Sequence, residues 1–117
     1  MENSNAQNLI KKIQNEVVAN GIQSDYLVPE LKKLREFALL EEKPVIVKAL
    51  RLAYEHIENN NDFLIPIPSD EPIEEVEIVT ESTNIESFNF MLSLLLDTEN
   101  KLNIEDLRNY NKMLQEF

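Results

Sequence analysis

Gly21 is the single glycine in this chain of 117 residues, and that scarcity narrows the fold more than any motif does. Two-residue hairpin turns draw on glycine for positive φ, so an antiparallel β architecture has almost nothing to turn with. Phosphate-cradling loops need several glycines, so neither a P-loop nor a dinucleotide fingerprint can be written from these residues. Leu, Ile, Val and Phe together make up 39 residues, a third of the chain, enough apolar surface for a buried core. The expectation is one globular, all-α domain spanning residues 1–117.

Apolar residues recur three and four positions apart, the spacing that gathers side chains on one helix face. Ala6, Leu9, Ile10, Ile13 and Val17 form the first such stripe, with Ser4 or Asn5 as N-cap and Gly21 as the stop. A second helix is expected from Pro29, which suits a first turn because its missing N–H has no partner there. Ser24 or Asp25 offers a start one turn earlier. Leu27, Leu31, Leu34, Phe37 and Ala38 line its apolar face, and Lys43-Pro44 breaks it. Pro44 then opens a third helix with the seam Ile46, Leu50, Ala53 and Ile57, pairing with the second as an antiparallel hairpin.

Residues 63–83 break the pattern. Phe63-Leu64-Ile65-Pro66-Ile67-Pro68 has prolines too close together for helix and reads as extended or polyproline chain. Ser69-Asp70-Glu71-Pro72 is a turn, and Val76 and Ile78 alternate with acids in the manner of an edge strand. The apolar half of this acidic, proline-containing segment is expected to pack over the helices as a strap, because exposure of so many apolar residues is unfavourable.

A capping box, Thr83 with Glu86, starts the fourth helix. Ile85, Phe88, Phe90, Met91, Leu92, Leu94, Leu95 and Leu96 leave it only a narrow polar arc at Glu86, Asn89 and Ser93. A helix apolar nearly all round must be covered on most sides, so it is either the centre of the bundle or a subunit interface. After a polar turn, Asn103 with Asp106 caps a last helix carrying Ile104, Leu107, Tyr110 and Leu114. The expected fold is a small five-helix bundle: two helical hairpins and an N-terminal helix, with the strap between the third and fourth.

Charge is distributed unevenly. Residues 52–100 hold twelve acids and no Lys or Arg, so the net charge of −11 belongs to the middle of the chain. Nucleic-acid affinity rests on Lys and Arg releasing counterions, and docking on an anionic membrane needs the same residues. Neither direct nucleic-acid binding nor membrane association is expected. The longest unbroken apolar run is Phe37 to Leu40, far short of the roughly 20 residues a spanning helix needs. With no signal-peptide pattern at the N-terminus, the expected location is the cytoplasm.

Chemistry-bearing constellations are sparse. The absence of Cys removes thiol nucleophiles and thiolate metal sites. Asp97 to Arg108 has the register of a calcium loop but places Lys101, Leu102 and Arg108 where the loop requires an oxygen ligand, Gly and Glu. No Glu-x-x-His pair exists for a carboxylate-bridged centre, and the adjacent pairs Glu41-Glu42 and Glu74-Glu75 do not face each other. No metal or cofactor is expected.

The function expected from these features is a non-catalytic protein-interaction module binding an as yet unidentified protein, with Phe88, Met91, Leu92 and Leu95 as candidates for self-association into a homodimer. One alternative is an acidic nucleic-acid mimic or inhibitor that binds a basic protein surface through Asp70, Glu71, Glu74, Glu75, Glu77 and Glu81. Another is a small enzyme or ligand binder centred on His56, the only imidazole, with Tyr54 beside it.

Overall fold

Five helices account for all the regular structure in the computed structural model, which describes residues 1–68 and 81–117, with the side chains of 81–83 left aside. They are α1 (Ser4–Asn20), α2 (Ser24–Leu40), α3 (Pro44–Asn60), α4 (Glu81–Leu94) and α5 (Lys101–Glu116), and no strand occurs among the described residues. Among those residues each helix packs on two neighbours, in the closed order α1–α2–α3–α5–α4 and back to α1. The α2–α3 and α4–α5 hairpins and the separate N-terminal helix are those expected. The anticipated edge strand around Val76 and Ile78, and the turn at 69–72, fall outside the described residues.

The core consists of the inward stripes of all five helices. Ile10, Ile13 and Val17 from α1, Leu31 and Leu34 from α2, and Ile46, Leu50 and Ile57 from α3 are fully buried. Phe88, Met91 and Leu92 of α4, Leu95 just after it, and Leu107 and Tyr110 of α5 are buried with them. Thus the two possibilities for α4 resolve toward the interior. Phe88, Met91, Leu92 and Leu95 are fully buried and belong to the protein's own core. No central helix is needed to bury them. α1 and α5 flank α4, and the chain around Phe63 and Ile65, both buried, covers a further side.

That segment is held by specific contacts. The Phe63 ring sits edge-on to Phe88 with centroids 5.3 Å apart. The buried Ser87 hydroxyl donates to the Ile65 carbonyl at 2.6 Å and lies 3.1 Å from the Tyr110 hydroxyl, which itself donates to the Ser87 carbonyl at 2.9 Å. Burial pushes the Tyr110 phenol well above its ordinary value of 10, so it remains a donor at any physiological pH. Asn84, at the start of α4, donates to Asp62 at 2.9 Å. Residues 63–65 therefore pack as the strap was expected to, with Leu64 and Ile67 turned partly to solvent.

Helix starts differ from the sequence expectation at α1, α4 and α5, and α2 uses the earlier of the two starts the sequence offers; α4 runs from Glu81, so Thr83 lies inside it instead of capping it. Asn3 caps α1, its Oδ1 accepting from the Asn5 and Ala6 amides at 2.8 and 3.2 Å; neither Ser4 nor Asn5 is the cap. Asn100 caps α5 through the Leu102 and Asn103 amides, and the side-chain amide of Asn103 instead donates to the Asp97 carbonyl at 2.9 Å. α2 begins at Ser24, which leaves Pro29 inside the helix. The proline removes one backbone bond, but the added turn buries Leu27 completely and lets the Ser24 hydroxyl donate to Asn61 Oδ1 at 2.9 Å. Burial of a leucine, worth about 1.5–3 kcal/mol, offsets most of the roughly 3 kcal/mol that a proline inside a helix costs.

Helix ends follow the expected chemistry with one exception. Gly21 takes φ 80°, ψ −173°, a region essentially confined to glycine. Asn61 ends α3 in the left-handed conformation, where Asn is tolerated. α2 closes differently. The Lys43 amide reaches the Ala38 carbonyl at 3.1 Å and the Glu42 amide reaches Leu39 at 3.2 Å, the paired bonds of a Schellman turn. The left-handed position of that turn, with φ 56°, is held by Glu42 instead of glycine.

Two outcomes follow. Glu42→Gly is expected to raise stability by about 1 kcal/mol, read as a higher urea midpoint at unchanged slope. Phe63→Ala is expected to lower it by about 3–5 kcal/mol through lost burial and a cavity beside Phe88; a loss below about 1 kcal/mol in the same titration would show that the strap contributes little to the core.

Candidate functional site: a basic groove at the α2–α3 turn

A surface hollow of about 480 Å³ lies at the turn that connects α2 and α3. Its walls are Arg35 and Leu39 from the last turns of α2, Glu42 and Lys43 from the connection, and Pro44, Val47, Lys48 and Arg51 from α3. The spacing explains the gathering. Arg35 and Leu39 are four apart, while Pro44, Val47, Lys48 and Arg51 repeat by three and four, so each set is one helix stripe. The Schellman turn brings the two stripes side by side. Leu39, Val47 and Pro44 supply an apolar floor, and Leu39 is 50 % exposed with its neighbour Leu40 at 82 %.

The rim is basic. Glu42 is the single acid among the lining residues. Lys43 is engaged by Glu99 at 3.3 Å, which ties the α2–α3 turn to the α4–α5 turn. Arg35, Lys48 and Arg51 make no ion pair among the described residues, and Arg35 Nε is buried without a hydrogen-bond partner.

A second hollow of about 360 Å³ adjoins the first across Pro44 and Lys48. It lies between α3 and α5 and is lined also by Val45, Arg108, Asn111, Lys112 and Gln115. The α5 residues again form one stripe. Asn111 is buried, donates through Nδ2 to the Val45 carbonyl at 3.3 Å, and leaves its Oδ1 without a partner. Together the two hollows collect Arg35, Lys43, Lys48, Arg51, Arg108 and Lys112, six of the eleven bases in a chain of net charge −11.

His56 and Tyr54 are not brought together. His56 is 6 % exposed and its Nε2 accepts the Leu64 amide at 3.0 Å, which assigns the neutral tautomer with the proton on Nδ1. Its ring stands edge-on to Phe63 and Phe117. Tyr54 lies elsewhere, with the Lys32 ammonium 5.3 Å above its ring. Neither residue lines the two hollows. His56 works as a fastener for the 63–65 segment: burial lowers its pKa, opposed by the field of Asp62.

The acidic candidates Asp70, Glu71, Glu74, Glu75 and Glu77 lie outside the described residues, and Glu81 is placed only as the first residue of α4. No group of three or more metal-ligating side chains converges among the described residues, and no described helix is long and apolar enough to cross a membrane. Sequence reasoning missed the groove. Its bases lie as far apart as residues 35 and 112, and on the sequence Lys48 and Arg51 read as the wet face of an amphipathic helix. Glu30 was missed as well; it is buried between α1 and α2, 3.2 Å from Lys33 and 3.9 Å from Lys12.

The His56 contact generates a pH dependence. Because the folded state holds the imidazole neutral while the unfolded chain titrates near 6.5, the unfolded chain binds more protons as pH falls through that value. The contribution of His56 to stability is then complete above about pH 7 and declines as pH drops through 6.5 toward the lowered folded value. Urea midpoints at pH 7.5 and 5.5 should fall further for the native chain than for His56→Gln; equal falls would remove this role. Comparison with known protein families, curated proteins and solved structures finds no match for this chain.

Proposed function

We propose that the chain is a non-catalytic protein-interaction module of the cytoplasm and that its docking face is the groove between α2 and α3. The observation that carries this is the exposed Leu39, with Pro44 and Val47 beside it, bordered by Arg35 and Arg51, which make no ion pair among the described residues. Apolar surface framed by polar groups is the anatomy of a protein-binding patch. Arginine is well represented where binding energy concentrates. The chain's other apolar helix face, that of α4, is used up in its own core.

Capture of a basic protein surface by the base-free stretch of residues 52–100 is a second reading, supported by its twelve acids. It predicts binding that weakens with salt and is indifferent to Arg35 and Arg51.

The test is site-specific photocrosslinking in cells of the source organism. A benzophenone amino acid at Leu39 is expected to form a discrete protein adduct, whereas the same group at Val18, 70 % exposed on α1, forms none. Adducts at Leu39 should disappear in the Arg35→Ala, Arg51→Ala double variant at unchanged helix content. Equal labelling from the two positions, or none from Leu39, would overturn the assignment.

A further inference from the structure

The groove and its neighbour share Pro44 and Lys48, and that continuity bears on what they hold. Resting on the docking face proposed above, we infer that the occupant is an acidic, extended protein segment with an aliphatic anchor, laid across α3 from the α2 side to the α5 side.

Its chemistry follows from the lining. Arg35, Lys48 and Arg51 around the first hollow, and Lys48, Arg108 and Lys112 around the second, favour carboxylates at both ends, and arginine accepts a carboxylate in bidentate fashion. Between the charges, Leu39, Pro44 and Val47 form a floor that takes an aliphatic side chain. A nucleic acid fits worse. None of the residues lining either hollow is aromatic, so no stacking platform exists for bases, and a long polyanion meets a chain of net charge −11.

Its size follows from helix packing. Packed helices lie about 8–10 Å apart, so crossing from the α2 side over α3 to the α5 side spans about 16–20 Å. An extended chain rising about 3.3 Å per residue covers that in about five or six residues.

Fluorescence polarisation with the full chain tests this, using a fluorescein-labelled peptide of about eight residues that alternates glutamate pairs with leucine. The acidic peptide is expected to bind, and its glutamine counterpart to bind at least tenfold more weakly. Arg35→Ala and Arg51→Ala should each weaken the acidic peptide about tenfold, and Arg108→Ala about threefold, while Lys11→Ala on the remote face of α1 changes nothing. Leu39→Ser should weaken acidic and glutamine peptides alike. Equal binding of the two peptides, no binding of either, or tighter binding of a short oligothymidylate would each overturn the inference. Adducts at Leu39 with no affinity for the acidic peptide would overturn the acidic occupant alone and leave the docking face standing; loss of both would remove the docking face as well.

Discussion

The need to cover α4 governs the rest of the structure. A helix with apolar groups around most of its circumference cannot face water, and no single neighbour is wide enough to shield it. Here α1 lies on one side, α5 on another, and the non-helical chain at Phe63 and Ile65 on a third. That last contact explains why a proline-containing stretch is ordered without regular structure. Its backbone cannot pair in a helix, so its polar groups are satisfied one by one: the Leu64 amide by His56 Nε2, the Phe63 amide by Asp62, and the Ile65 carbonyl by Ser87. His56, Ser87 and Tyr110 sit in the core because this segment needs partners there.

Closing the ring of helices also sorts the charge. Bases on α2, α3 and α5 that lie far apart in sequence are brought to either side of the N-terminal half of α3. A net charge of −11 therefore conceals a basic surface. Among the described residues the ion pair within it is Lys43 with Glu99, which links the two hairpin turns. For the proposed partner, electrostatic attraction at such a surface would chiefly direct encounter and register, and the exposed Leu39 would supply apolar contact.

Most of the architecture was legible in the residues, and the misses are local. Stripes such as Ile10–Ile13–Val17 and Ile46–Leu50–Ile57 identify helices because burial of one face dominates their stability. Caps were harder to place: Asn3, Ser4 and Asn5 are all competent cap residues, and only the backbone shows which amide each reaches. Of the two starts the sequence offers for α2, at Pro29 or one turn earlier at Ser24, the structure takes the earlier, because the added turn buries Leu27. The candidate site was nearly illegible. Arg35 and Arg108 carry no mark in sequence that separates a groove wall from an ordinary solvated face, and the sequence stood open between core and interface for Phe88, Met91, Leu92 and Leu95.

By itself the sequence determined the class and the number of helices, because one glycine, periodic apolar stripes and well-placed prolines act over a few residues and need no distant partner. It also determined which chemistries lack their residues, thiolate and phosphate-loop chemistry among them. Only the tertiary structure decided that α4 lies inside, that His56 fastens a strap, and that six bases surround one end of α3. Those outcomes depend on which faces meet across the ring, and a side chain's neighbours in space are set by the packing of the whole bundle.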